Sequence, residues 1–253
     1  MAREAIIRPV ARAWRAGAGM SRARTRWVGW TAALAAIALF CLLGRWQLAR
    51  MHEKQAMLAA AAQVLAERRP QPLAAAADAA GYAWAAGQGR FADGPAVLLD
   101  NQSRGGRPGV RAYRLFAPRD AAPLLVELGW LPLGGDRVLP PVQRLPGERR
   151  IAGLLLPPPS SGLAAPVAVV QPDGTILATA LAAPDLPRRL GVPRLPPRVL
   201  RLDPALPPGY ARDLDILPNT LPPERHLGYA VQWFALAAAV LATALLLTFR
   251  RRR

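Results

Sequence analysis

The run WVGWTAALAAIALFCLL, at residues 27–43, contains no charged side chain and continues into Gly44. A second run, LGYAVQWFALAAAVLATALLLTF at residues 227–249, is apolar apart from Gln232 and small hydroxyl or glycine positions. A helix rises about 1.5 Å per residue, so each run is long enough to cross about 30 Å of hydrocarbon, the first with little tilt. The sequence therefore predicts transmembrane helices at residues 27–44 and 227–249.

A cleavable signal peptide is the alternative for the first run. The segment that follows it, GRWQLARMHEK at residues 44–54, is bulky and charged and lacks the small-x-small pattern of a cleavage site. We therefore interpret the first run as an uncleaved anchor. Its Cys41 is the lone cysteine of the chain and follows the bulky Phe40, which excludes a lipoprotein site and an intrachain disulfide and indicates a packing residue.

Flanking charges orient the two predicted helices. Arg22, Arg24 and Arg26 precede the first run, and four arginines at residues 250–253 follow the second. Because positive residues favour the cytoplasmic side, we predict cytoplasmic tails at residues 1–26 and 250–253 and an exported domain at residues 45–226. In a bacterium this describes a multi-pass protein of the inner membrane with a periplasmic domain. In a mitochondrion the same domain would face the intermembrane space.

The formal net charge of +17 would by itself suggest a nucleic-acid partner. However, seven arginines lie before Trp27 and four more end the chain, so that the excess is concentrated in the tails. The basic residues between the two runs are mostly matched by Asp and Glu. We therefore expect the lipid bilayer, and not nucleic acid, as a partner.

The central region predicts an α+β domain that is mostly antiparallel β-sheet, closed as a small barrel or folded as a sandwich. From Arg45 to Arg69, apolar residues recur at helical spacing, so the first helix is expected to continue as an amphipathic helix until Pro70. Short apolar runs separated by Gly and Pro then indicate strands at residues 96–99, 110–116, 124–131, 151–156, 167–171 and 199–202. A short helix is expected within residues 176–190.

Enzyme chemistry has little support in this sequence. It contains no Gly-rich phosphate loop, HExxH helix, CxxC pair or GxSxG elbow, and it has two histidines. The acidic pair Asp213 and Asp215 falls in a Pro-rich connection, which indicates a solvated loop. We therefore predict that the protein is not an enzyme.

The start of the second apolar helix carries the most informative side chains. Prolines at residues 222–223 and Glu224 suit a first helical turn, which places His226 near the helix N-terminus. At 100° per residue, one face presents His226, Tyr229, Ala230, Trp233 and Ala237. Imidazole can ligate haem iron, and small residues admit the macrocycle. Arg225 of this helix and Arg45 and Arg50 of the first could meet the propionates.

Two other interpretations remain open from the residues alone. A histidine near Tyr229, Trp233 and Trp46 at a bilayer boundary also suits an interfacial anchor in an aromatic belt. Met51, His52 and Met57 offer soft ligands for copper, although both methionines also occupy core positions of the amphipathic helix.

Several motifs resemble those of the Surfeit locus protein 1 family. They are LGRWQLAR at residues 43–50 followed by Lys54, PPERHLGYAVQWF at residues 222–234, and between them GRF at residues 89–91, Asn101, Gly109 and VELGWLP at residues 126–132. The resemblance extends from Trp27 to the end of the chain. It departs from the family pattern where Asn-Arg-Gly-Trp is usual and this chain has Glu127-Leu128-Gly129-Trp130.

This resemblance implies an assembly factor for haem–copper cytochrome oxidases that helps haem a to reach the catalytic subunit. It implies as partners that subunit and other assembly factors, and it places the family's histidine at His226 as the metal ligand. The candidate haem-binding residues are then His226, Tyr229, Trp233, Arg225, Trp46, Arg45 and Arg50. A haem-free scaffold that grips oxidase subunits is the alternative function.

Overall fold

The computed structural model of the chain describes residues 22–76, 80–162, 165–207, 209–217 and 220–250. Most of the predicted amino-terminal tail and residues 251–253 of the carboxyl-terminal tail lie outside these ranges. The chain divides into two compact units. One unit contains the residues up to His52 and those from Pro223 onward, and the other contains Glu53–Pro222.

Two long helices confirm the prediction of apolar helices near both ends. Helix α1 covers Arg22–Glu67 and helix α4 covers Pro223–Arg250. Helix α4 has an acidic residue in its first turn and Arg250 in its last, the arrangement that favours the helix dipole. Both helices are long and apolar enough to cross a membrane, and 6% and 11% of their most apolar windows are buried. A core helix of a soluble protein would be mostly buried, so composition and exposure together favour membrane placement.

Within the first unit the two helices pack in antiparallel fashion. The Trp30 indole nitrogen donates to the Thr248 hydroxyl at 3.1 Å, and farther along Phe40 stacks on Trp233 with ring centroids 5.7 Å apart. A Cβ on Gly44 would lie 2.8 Å from the Phe234 ring, so the glycine permits close approach of the helices. Small residues at such contacts are typical of helix pairs in membranes.

The second unit is built on one mixed β-sheet. In the described residues the strands are β1 Gln71–Pro72, β2 Ala83–Phe91, β3 Val97–Arg104, β4 Arg107–Pro118, β5 Leu124–Pro132, β6 Glu148–Leu156, β7 Ala168–Val170, β8 Ile176–Ala178 and β9 Val199–Leu202. Two short helices, α2 Leu73–Ala76 and α3 Leu186–Arg189, accompany them. The strand order is β1-β2-β6-β9-β5-β4-β3-β8-β7, with β2 also paired to β4. This additional pairing closes β2, β6, β9, β5 and β4 into a five-stranded barrel.

Most neighbouring strands are antiparallel, as predicted, whereas β1–β2, β3–β8 and β5–β9 are parallel pairs. Barrel closure depends on close contact between β2 and β4. A Cβ on Gly89 of β2 would clash with the Ala117 carbonyl of β4, which is why glycine occupies this position.

Alternation along the strands produces two apolar cores. One core takes side chains from all five barrel strands, among them Phe91, Phe116, Val126, Ile151 and Leu200. The other core lies on the opposite face of the same strands. It joins residues of the barrel wall to β3, β7, β8 and α3, and to Val64 and Leu65 near the end of α1. Successive side chains along a barrel strand therefore pack into different cores, because they point to opposite faces of the sheet.

The six predicted strands are confirmed as β3, β4, β5, β6, β7 and β9, with boundaries that differ by a few residues at most ends. The short helix expected within residues 176–190 is confirmed as α3, Leu186–Arg189, whereas strand β8 at Ile176–Ala178 was not predicted. Strand β8 forms because it pairs in parallel with Val97–Leu99 of β3. Most of β2 was also not predicted, because its sequence AWAAGQGRF contains no β-branched residue.

Candidate functional site

His226 lies in the first turns of α4 and is directed toward α1. Its side chain is 7% exposed, and its Nδ1 lies 2.7 Å from Oε1 of Gln47, which is half-buried. An amide oxygen only accepts hydrogen bonds, so Nδ1 donates and carries the ring proton. In a neutral imidazole the in-plane lone pair then belongs to Nε2, the arrangement that many metal-ligating histidines adopt.

The rest of the predicted face divides between two environments. Ala230 and Ala237 are buried, and Trp233 is half-buried against Phe40. Tyr229, in contrast, is 38% exposed. The structure therefore groups His226 with the small residues and Trp233 along one face of α4, and it places Tyr229 at the margin of that face.

The remaining predicted residues are exposed. Arg225 on α4 and Arg45 and Arg50 on α1 all have exposed side chains, and Trp46 is 55% exposed. Exposed guanidinium groups are suited to binding carboxylates from a ligand outside the helix pair.

The tautomer of His226 suits haem ligation, whereas its burial suits a packing role. A histidine whose Nδ1–H is already bonded to an acceptor presents a defined tautomer to a metal. A ring that is almost fully covered between two helices also suits an interhelical hydrogen bond. Both functions given in the sequence analysis are thus compatible with this geometry.

A groove in the helix pair lies toward the opposite end from His226. It has a volume of about 1020 Å³ and is lined mainly by apolar and small side chains, with Arg26 at its edge. The indole nitrogen of Trp30 and the hydroxyl of Thr243 in its wall are engaged in hydrogen bonds to Thr248 and to the Ala239 carbonyl. The wall is therefore largely apolar, and the groove is separate from the predicted haem-binding residues.

The three candidate copper ligands differ in exposure. His52 is exposed, whereas Met51 and Met57 are half-buried. Among the residues that the structure describes, no group of three or more His, Cys, Asp or Glu side chains could hold a metal ion.

A buried polar cluster occupies the position where the sequence departs from the family motif. Glu127 of β5 is 1% exposed and accepts hydrogen bonds from the Arg111 guanidinium, from Arg201 Nε at 3.1 Å and from the Tyr113 hydroxyl at 3.0 Å. Arg201 also donates to the Asp215 carbonyl. The cluster thus joins β4, β5 and β9 to the connection that leads toward α4.

The ionisation of this cluster follows from its burial. Burial lowers the pKa of Arg111, but Glu127 together with Tyr113 and Asp213 raises the pKa overall. Burial, followed by the Glu127 charge, raises the pKa of Tyr113 well above its ordinary value of 10.0. Arg111 therefore remains charged, and Tyr113 remains a hydrogen-bond donor at neutral pH.

Two polar contacts were not predicted from the sequence. Gln47 belongs to the LGRWQLAR motif, but the sequence analysis assigned it no role. It lies three residues after Gly44 and therefore on the same face of the helix, which is the sequence feature that could have indicated its contact with α4. Lys54, the lone lysine, is 9% exposed and donates to the Leu221 carbonyl. This bond ties the carboxyl-terminal half of α1 to the segment before α4.

Comparison with known protein families gives one match. The model of the SURF1 family, the Surfeit locus protein 1 family of the sequence analysis, matches residues 34–238, which is most of the chain. A search of curated proteins found no match. The matched range includes Gln47, the whole β-sheet unit and His226.

Proposed function

The chain belongs to the SURF1 family of non-enzymatic cytochrome oxidase assembly factors, and from this membership we propose that it binds haem a transiently at His226. The haem is then passed to the catalytic subunit of a haem–copper oxidase, in concert with other assembly factors. A carrier must release its cargo, so the affinity for haem a is moderate compared with that of the oxidase site.

The contact between His226 and Gln47 is the observation that carries this proposal. It leaves Nε2 as the imidazole nitrogen with the in-plane lone pair, and haem a supplies an iron that accepts such a nitrogen as an axial ligand. Arg225 in the first turns of α4 is suited to bind a propionate, with Arg45 and Arg50 of α1 as further candidates. Tyr229, Trp233 and Trp46 supply aromatic surface.

The membrane orientation is part of the same proposal. Arg24 and Arg26 flank one end of the apolar segment of α1, and Arg250 ends α4. Positive residues at these ends support cytoplasmic termini and an exported domain at residues 45–226. His226 then lies at the outer boundary of a bacterial inner membrane.

The test uses the full chain purified in detergent from cells that make haem a. We expect a Soret band in the wild-type protein and its loss in His226→Ala. His52→Ala is the matched control, because His52 is the other histidine of the chain and is exposed. A wild-type protein without haem, or a Soret band of unchanged position and intensity in His226→Ala, would overturn the carrier function. Unchanged gel-filtration profiles exclude misfolding as the cause.

A haem-free scaffold is the second candidate, and the burial of His226 favours it. An imidazole 7% exposed and bonded to Gln47 can serve to hold α4 against α1 without a ligand. On this alternative the purified protein contains no haem, and oxidase subunits still co-purify with it.

A further inference from the structure

We propose that Gln47 is the positioning residue for His226, because its amide oxygen holds the ring proton on Nδ1 and leaves the in-plane lone pair on Nε2. The effect of Gln47 on iron ligation rests on the proposed haem-binding function, whereas its effect on the tautomer of His226 concerns the protein without haem. Gln47 therefore acts through His226 and need not touch the haem.

The geometry of the contact supports a strong hydrogen bond. The 2.7 Å separation of Nδ1 and Oε1 is at the short end of the range for N–H donors and carbonyl acceptors. His226 is buried and Gln47 half-buried, so water competes poorly for either group. The bond also joins two different helices, which fixes the ring relative to α1 as well as to α4.

The chemical consequence follows from the two tautomers of imidazole. An unconstrained neutral ring carries its proton on either nitrogen, and only the nitrogen without the proton can bind iron. An acceptor at Nδ1 selects the tautomer with the lone pair on Nε2, and it increases the basicity of that nitrogen. Loss of the acceptor therefore weakens the bond to iron even when His226 itself is intact.

Three substitutions separate this role from simple packing. Gln47→Leu removes the acceptor while it keeps similar bulk, and Gln47→Glu keeps an oxygen at the same position. Gln55→Leu makes the first change at an exposed glutamine of the same helix and is the matched control. We expect Gln47→Glu to behave like the wild type and Gln47→Leu to differ from both controls.

The first readout is ¹⁵N NMR of the full-length, haem-free protein labelled at histidine. The chain has two histidines, so His52→Ala assigns the His226 signals directly. We expect a protonated Nδ1 and an unprotonated Nε2 in the wild type, and a mixed or reversed pattern in Gln47→Leu. A proton on Nε2 in the wild type would overturn the inference, whether or not the protein binds haem.

The second readout is the haem-loaded protein. Loss of a group that orients a metal ligand typically lowers affinity by about 10- to 100-fold, so haem should leave Gln47→Leu faster than the wild type by about that factor. Equal dissociation rates and Soret positions in Gln47→Leu and Gln55→Leu would overturn the positioning role. A wild type with the expected tautomer but no bound haem would overturn the proposed function and support the tautomer assignment.

Discussion

Replacement of Glu127 by Gln tests whether the buried ionic cluster holds the barrel together. The carboxylate lies between the buried guanidinium groups of Arg111 and Arg201. It also accepts a hydrogen bond from the Tyr113 hydroxyl. The substitution keeps the size and planarity of the side chain but removes its negative charge. The cluster then changes from one excess positive charge to two.

The expected cost follows from the exposure of the partners. The side chains of Arg111 and Arg201 are 4% and 1% exposed, so water cannot screen the two cations once the carboxylate is absent. Removal of one partner from a buried ion pair costs about 3–5 kcal/mol. In a unit of this size about 1 kcal/mol corresponds to roughly 2–4 °C, so Glu127→Gln should lower the melting temperature by about 6–20 °C.

Thermal melting of the full chain in detergent, followed by tryptophan fluorescence, measures this shift. Trp84 and Trp130 lie in strands β2 and β5 and report on the barrel. Glu148→Gln is the matched control, because Glu148 pairs with Arg119 on the surface, where the side chains are 48% and 64% exposed. Exposed pairs contribute about 0–1 kcal/mol. If Glu127→Gln melts within about 2 °C of Glu148→Gln, the cluster does not stabilise the fold as argued.

Three further predictions concern the barrel and the topology. Gly89→Ala should lower the melting temperature by several degrees, because a Cβ clashes with the Ala117 carbonyl, whereas Gly94→Ala meets no neighbour and should leave it unchanged. Above about pH 10 the unfolded chain loses the Tyr113 proton while the folded chain keeps it, so stability in urea should fall as pH rises, and less steeply in Tyr113→Phe. A reporter fused after Arg253 should be active in the cytoplasm, and an active periplasmic reporter at that position would contradict the proposed orientation.

Elements whose own residues favour one conformation were predicted from the sequence. Elements whose conformation depends on pairing with distant strands were not. The apolar runs of α1 and α4 are long and uninterrupted, so composition alone predicted them. Most of strand β2 was missed because five of its nine residues are Ala or Gly. Of these, Gly89 is required by the close contact with β4. Strand β8 was not predicted because Ile176–Ala178 gives no period of two, and its strand conformation depends on pairing with β3.

Helical periodicity predicted part of the candidate site. The spacing of His226, Ala230, Trp233 and Ala237 follows one helical face, and the structure places these residues together. Periodicity does not show which residue of another helix lies opposite, so Gln47 had no role in the sequence analysis. It also overestimated the width of the face, because Tyr229 lies at its exposed margin.

Interhelical packing and haem binding both depend on the His226 side chain, and one substitution separates the two roles. Helices in lipid associate through close packing and polar contacts, so the bond between His226 and Gln47 helps to set the register of α4 against α1. His226→Ala removes this bond together with the iron ligand, and a loss of oxidase assembly in that variant would not distinguish carrier from scaffold.

His226→Asn keeps an amide N–H near the position of Nδ1 and can still donate to Gln47, but it offers no imidazole nitrogen to iron. In a strain that lacks the wild-type chain, the carrier function predicts that His226→Asn leaves the oxidase deficient in haem a, with activity as low as in His226→Ala. The scaffold function predicts near-normal activity in His226→Asn and a defect in His226→Ala. Full oxidase activity with His226→Asn would therefore refute haem transfer through this side chain and leave the helix pair as the functional element.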